Sequence, residues 1–389
     1  MRIDFPAIGE VLVDRGRREL SRRRLGHCHS GCETTGPADC HSVTQELFMS
    51  TNNTNLANLV EKVIGADGAA QVNRLMTIPA LFSNWECGQV SRKEMAQALN
   101  MVLFHDLLLR VPTGRRYTEE VAARGGKVFH DHGALRTVLW QDNGALPPGE
   151  TAFTRILEPL GYRLNGVFPL DRIGMTGRSY AQQDSPEQIA QFFVSELHPE
   201  KFSAAFQAAV TRVVASSQEP LSPKAQALLQ DIGRNDRLSV TDAITLLTAL
   251  RGCFARQHAT PSLADYEILR AESAEMAWIT TEGNMFNHVT DRVADVAQVA
   301  LAQQGLRRPM KQSVEVSANG RVRQTAFLAD SVTRQFIAAD GTLVERDVPG
   351  SFYEFISRDL IHDAAGTRLD LSFDTGNAQG IFRMTAAGS

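Results

Sequence analysis

The sequence predicts an α+β protein organised on one curved β-sheet, which two strand–helix–strand modules supply. A helical N-terminal part precedes them, and a helical insertion at roughly 186–278 falls between them. Three observations support this class. The run FHDHGALRTVLW, Phe129 to Trp140, ends in residues that favour an extended strand, and a helical pattern closing on Leu160-Gly161-Tyr162 follows it. The run NMFNHVTDRV repeats that order, with a helical pattern closing on Gln304-Gly305-Leu306. Further extended segments come after each, and Asn319-Gly320 and Asp340-Gly341 between them are hairpin signals. Residue identity between the halves is low, so the repeat is one of architecture.

Composition bounds the partners. The chain has 389 residues, 43% hydrophobic and 22% charged, enough for one large domain or two smaller ones. A formal net charge of −4 argues against nucleic acid as a partner. No stretch approaches the roughly 20 uninterrupted apolar residues of a membrane helix. Five cysteines are too few for a disulfide scaffold of this size. Cys87 and Cys253 read as reduced thiols of a cytoplasmic protein.

Residues 1–48 differ in character from the rest of the chain. A basic run (Arg15, Arg17, Arg18, Arg22 to Arg24) leads to HCHSGCETTGPADCH, whose spacing matches no standard zinc finger. Met49 then opens a polar lead-in. The expectation is a disordered arm or an over-extended start, with 49–389 as a single catalytic domain. In that domain NLANLVEKVIG, Asn55 to Gly65, has helical spacing. Ser91 caps the long amphipathic stretch that contains His105. After the first strand, QDNGALPPGE is a turn cluster, TAFTRILEPL a helix stopping at Gly161, and PLDRIGMTGRSYA mainly extended. Pro186 marks PEQIAQFFVSEL as a helix start. Helices follow at SVTDAITLLTALRGCF and from about Ser262 to Trp278.

The chemistry gathers on three predicted strands. Alternation places His130, His132 and Arg136 on one face, beside Gly133, which offers no side chain to block a ligand. The same rule puts Phe286, His288, Thr290 and Arg292 together, and Phe352, Glu354, Ile356 and Arg358 together. Taken alone, His132 and Arg136 also fit a core histidine and a salt-bridged arginine. Glu354 changes the balance. A carboxylate among the aromatics of FYEF is costly unless it is paired or binds a cation. Two histidines and one carboxylate suit non-haem Fe(II), and they suit Zn2+ equally by ligand type. Arg136 lies about 13 Å along the strand from His132. Its planar guanidinium could hold the far end of a short dicarboxylate. Arg292 and Arg358 are weaker candidates for that work. Arg178, Tyr180, Ser195 and Glu196 could line the cleft, though capping and sheet packing explain them as well.

FHDHGALRTV, FPLDRIGMTGRSYAQ, FFVSELHPEKFS, DYEILRAESAEMAWI, FNHVTD and VPGSFYEFISRD, in that order, resemble the DUF1338 family of 2-oxoadipate dioxygenase/decarboxylases of lysine catabolism. The resemblance runs from roughly Asn55 to the C-terminus and includes FDTGNAQGIF. It implies a fold related to the vicinal oxygen chelate enzymes. It also implies Fe(II) held by His132, His288 and Glu354, with Arg136 as the substrate-binding arginine. The implied reaction takes a small 2-oxo dicarboxylic acid, 2-oxoadipate, with O2 to 2-hydroxyglutarate and CO2. Two other readings stay open: a zinc hydrolase or lyase on the same ligands, and a non-catalytic module that binds small acids through His132 and Arg136.

Overall fold

The computed structural model describes residues 54–83, 88–364 and 366–374. The cluster of histidines and cysteines between His27 and His41, the rest of residues 1–48, Cys87 and GNAQGIF lie outside the described residues.

One eight-stranded sheet forms the centre. Its strands in chain order are β1 (His130–Val138), β2 (Tyr162–Leu170), β3 (Met175–Gln182), β4 (Gln191–Leu197), β5 (Phe286–Arg292), β6 (Glu315–Val316), β7 (Val322–Ala326) and β8 (Phe352–Arg358). Across the sheet they run β2-β3-β4-β1-β5-β8-β7-β6. The order reads as one pattern used twice. In each half the first strand pairs parallel with the last, β1 with β4 and β5 with β8. The remaining pairs within each half are antiparallel. The halves join where β1 and β5 run antiparallel. A helix follows the first strand of each half, Thr151–Leu157 and Val296–Gly305. The expected α+β architecture of two modules is therefore present.

Each face of the sheet has its own cover. Leu135, Phe192, Val194, Val289, Tyr353 and Phe355 face one core, which includes the helices Asn55–Leu75, Arg92–Arg110 and Val240–Cys253. Ser91 caps the second of these, as its sequence predicts, and Glu94 completes a capping box with it. Ala134, Val138, Phe193, Leu197 and Phe352 face the other core. The helices Ala204–Val214, Leu263–Glu272 and Ala274–Glu282 contribute Phe206, Leu269, Met276 and Trp278 there. A hairpin, Ser331–Ile337 with Leu343–Pro349, turns at Asp340-Gly341 as expected and packs Phe336 and Val348 on Tyr266 and Ala277.

Several local readings change. PEQIAQFFVSEL is not a helix: Gln191–Leu197 is a strand, buried along its whole length beside β1. Buried on both faces, it carries Phe192, Phe193 and Val194 in succession and lacks the apolar–polar alternation that would mark a strand. The helical insertion accordingly begins at Ala204. The expected helix from Ser262 to Trp278 is two helices, broken at extended Ser273, whose side chain caps the second. The helix from Asn55 continues to Leu75 through a kink at Gly65, where φ is 79°. Among the described residues no helix is long and apolar enough to cross a membrane. Cys253 is a free thiol whose burial pushes its pKa up to about 12.

Candidate metal centre

The centre lies where the two halves meet. His132 in β1, His288 in β5 and Glu354 in β8 bring one donor atom each within 4.8 Å of one another, and all three residues are buried. His132 Nε2 and His288 Nε2 each lie 3.2 Å from Glu354 Oε2. Donors about 2.1 Å from one shared cation, at tetrahedral or octahedral angles, stand about 3.0–3.4 Å apart. The two histidine–carboxylate separations match that spacing, and the chemistry of the donor set suits a metal ion.

Local backbone irregularity aims both histidines. Ladder register shifts between His130 and His132, and again beside Ala134, where Leu135 pairs with Phe286. These bulges overturn simple alternation at two places. His130 opposes Asp291 and packs on Phe104 of the helix Arg92–Arg110, with ring centroids 5.4 Å apart. Phe286 likewise turns away from His288, into the core that holds Phe192 and Phe254. Gly133 serves that packing rather than ligand approach, since a Cβ there would sit 2.1 Å from the Phe286 ring.

The residue before each histidine bonds it, a pairing that the sequence reading missed. Asp131 Oδ1 accepts from His132 Nδ1 at 2.8 Å, which leaves Nε2 for the centre. Asn287 Nδ2 lies 3.0 Å from His288 Nδ1, while Asn287 Oδ1 has no hydrogen-bond partner among the described residues. A half-turn of that amide puts Oδ1 on Nδ1 and frees Nε2 for a metal in the same way. The readable signal was an acid or amide directly before each histidine, in FHDH and FNH. Thr290 Oγ1 donates to Glu354 Oε2 at 2.5 Å and lies 3.1 Å from His132 Nε2.

Charge explains the protonation states. Burial alone pushes the Glu354 carboxyl up, but the facing imidazoles of His288 and His132 outweigh it and hold the group ionised. Burial pushes both histidines down. For His132 the hydrogen bonds to Asp131 and Glu354 reverse that, and its pKa is raised. For His288 burial prevails, and its pKa is lowered. Asp131 is buried, yet Arg358 and Arg292 overcome its desolvation and keep it ionised.

The remaining candidates separate cleanly. Arg292 Nε donates to Asp131 at 2.7 Å, and Arg358 Nη2 donates to it at 2.9 Å. Both guanidiniums are thus committed to the carboxylate behind His132. Arg136 is fully buried on the face of His132, with its guanidinium 5.0 Å from the Trp278 ring centroid. Burial lowers its pKa to about 10, against the attraction of Glu275. Ser195 sits abreast of Arg136 in the parallel ladder. Arg178 and Tyr180 sit abreast of Val194 and Phe192, which face the other core. Both contact Glu150 there, and Arg178 also pairs with Glu196, so they do not line the cleft. Phe373, from the segment after β8, covers His132 with ring centroids 4.8 Å apart. Arg358 anchors that segment by donating to the carbonyls of Asp370 and Ser372.

The chain is similar to proteins of known family and structure. The model of a family described as 2-oxoadipate dioxygenase/decarboxylase matches residues 106–382. A solved structure from Ralstonia eutropha JMP134, described as a glyoxalase superfamily protein, is 60% identical. It covers 83% of this chain and 99% of its own, with a TM-score of 0.79. Hydroxyglutarate synthase from Oryza sativa, crystallised with 2-oxoadipate, is 17% identical over 80% of this chain and 96% of its own, with a TM-score of 0.57. The corresponding Pseudomonas putida complex is 17% identical over 78% of this chain and 75% of its own, with a TM-score of 0.51. At these last two identities the likeness is one of fold. No curated protein matches the chain.

Proposed function

Since the chain belongs to the 2-oxoadipate dioxygenase/decarboxylase family, we propose that it is an Fe(II)-dependent enzyme converting 2-oxoadipate and O2 to 2-hydroxyglutarate and CO2. The observation that carries this reading is the convergence of His132, His288 and Glu354 on one buried point. The solved relatives crystallised with 2-oxoadipate support the choice of acid.

In this reading His132, His288 and Glu354 would hold the ferrous ion. The ferrous ion would supply the site where O2 and the 2-oxo acid meet. Asp131 keeps the His132 proton on Nδ1, and Thr290 fixes the Glu354 oxygen. Arg136 holds the distal carboxylate of the acid, and its desolvation strengthens that charge-assisted pair. Trp278 restricts the guanidinium from the side. Together these contacts hold a flexible diacid in one orientation and exclude water.

The test is O2 uptake by anaerobically reconstituted Fe(II) protein given 2-oxoadipate. The expected result is one O2 consumed for each CO2 and each 2-hydroxyglutarate formed, with no product in the absence of O2. Consumption of 2-oxoadipate by zinc-loaded protein without O2, to products other than 2-hydroxyglutarate, would make it a hydrolase or lyase. Stabilisation by the acid in the presence of chelator, without turnover, would make it a binding module.

A further inference from the structure

Two rows of residues cross the centre of the sheet. One row runs Gln191, His132, Thr290, Glu354, and the next runs Phe193, Ala134, His288, Phe352. Exchanging the two halves maps the first row onto the second in reverse. His132 takes the place of His288, Thr290 that of Ala134, and Glu354 that of Phe193. The first module thus carries an aromatic ring where the second carries its carboxylate ligand.

Phe193 does not stand alone. Its ring lies 5.6 Å from that of Phe168 and 5.1 Å from that of Phe373, which itself covers His132. It turns toward β3, where Gly177 leaves it room: a Cβ there would meet the ring at 2.6 Å. Ala134, the smallest side chain of the row, lies between Phe193 and His288 in the ladder. Along β1 that row falls midway between His132 and Arg136.

We propose that Phe193 is a specificity-determining residue: it occupies the position of a fourth, symmetry-related protein ligand and thereby keeps that side of the centre open and apolar for the carbon chain of a 2-oxo dicarboxylic acid. The proposal rests on the metal reading above. A carboxylate at 193, in the orientation Glu354 adopts, would close the open side. The ring at 193 instead presents a wall to the methylenes of an acid stretched from the centre to Arg136.

The test uses the full chain loaded with Mn2+, which reports binding without turnover. Metal affinity is measured by chelator competition, and acid binding by the thermal shift on adding 2-oxoadipate. F193E is expected to bind Mn2+ at least tenfold more tightly and to lose the 2-oxoadipate shift. F193L is expected to keep both within about threefold. F193S should keep metal affinity and bind the acid at least fivefold more weakly. Where F193E does not fold, F193H supplies a neutral donor at the same place and carries the same expectation. Wild-type metal affinity together with a wild-type acid shift in the donor-bearing variant overturns the proposal, as does unchanged acid affinity in F193S. If the unsubstituted protein itself fails to bind Mn2+ or respond to the acid, the metal reading falls instead.

Discussion

The two halves of the sheet share strand order, pairing and a histidine on the first strand, yet almost every equivalent position differs in chemistry. Asp131 stands behind His132, and neutral Asn287 stands behind His288. Arg136 is stacked beside Trp278, whereas its counterpart Arg292 is ion-paired to Asp131. Leu135 packs in the core where Asp291 takes its place in the second half. The backbone repeat sets where side chains can meet, while divergence at matched positions gives the second half the carboxylate Glu354 and leaves the first half with Phe193 at the equivalent place. Of the three arginines on these central strands, Arg292 and Arg358 pair with Asp131, and Arg136 packs beside Trp278.

The largest effect should erase the shared part of the comparison. His132→Ala and His288→Ala are each expected to reduce bound metal to background after dialysis, measured by elemental analysis, with turnover lost in parallel. Retention of stoichiometric metal by either variant would break the shared centre. Next comes the asymmetry behind the histidines. Asp131→Asn leaves Arg358 and Arg292 without their carboxylate and should cost about 3–5 kcal/mol of stability in urea unfolding. It should also weaken metal binding by roughly 10–100-fold. Asn287→Ala strands no charge and should cost about 1 kcal/mol. Equal losses in the two variants would show that Asp131 has no special part.

A smaller, more selective contrast separates the two arginines. Arg136→Ala is expected to raise the KM for 2-oxoadipate by roughly 100-fold or more while bound metal is unchanged. Arg292→Ala should leave that KM within a few-fold. The smallest effect concerns Asp291, which accepts hydrogen bonds from Tyr117 Oη and the Phe129 backbone N–H. Burial raises its pKa to about 7. The folded state then holds a proton that the unfolded chain releases near pH 4. Stability from this group is complete below about pH 4 and is lost as pH rises toward 7. Asp291→Asn, neutral throughout, should melt a few degrees higher than the unsubstituted protein at pH 8 and show a flatter pH dependence of Tm between 4 and 7. An unchanged slope would mean that the carboxyl is ionised in the fold across that range.

Much of the fold was legible along the chain. Ser91 marked a helix start, Asn319-Gly320 and Asp340-Gly341 marked turns, and the repeated strand-then-helix order marked two modules. These are short-range signals, set by caps, backbone freedom and side-chain periodicity over a few residues. β4 was misread because burial on both faces removes the alternation that distinguishes a strand from a helix. His130 and Phe286 were placed on the wrong face because one extra residue in a ladder reverses every side chain beyond it, and a bulge has no fixed sequence sign.

By itself the sequence determined which residue types were available: two histidines and a carboxylate in apolar strands, and an arginine four places after each histidine. Only tertiary structure decided which of them act together. Arg136 and Arg292 are equivalent in spacing, and the difference between them is a carboxylate, Asp131, that reaches Arg292 from another strand. Arg178 and Tyr180 were removed from the cleft by the register of β3 against β4, a relation between segments. The physical reason is range. Capping and turn formation act between near neighbours, whereas charge compensation, burial and metal geometry act through space between strands that the chain brings together only on folding.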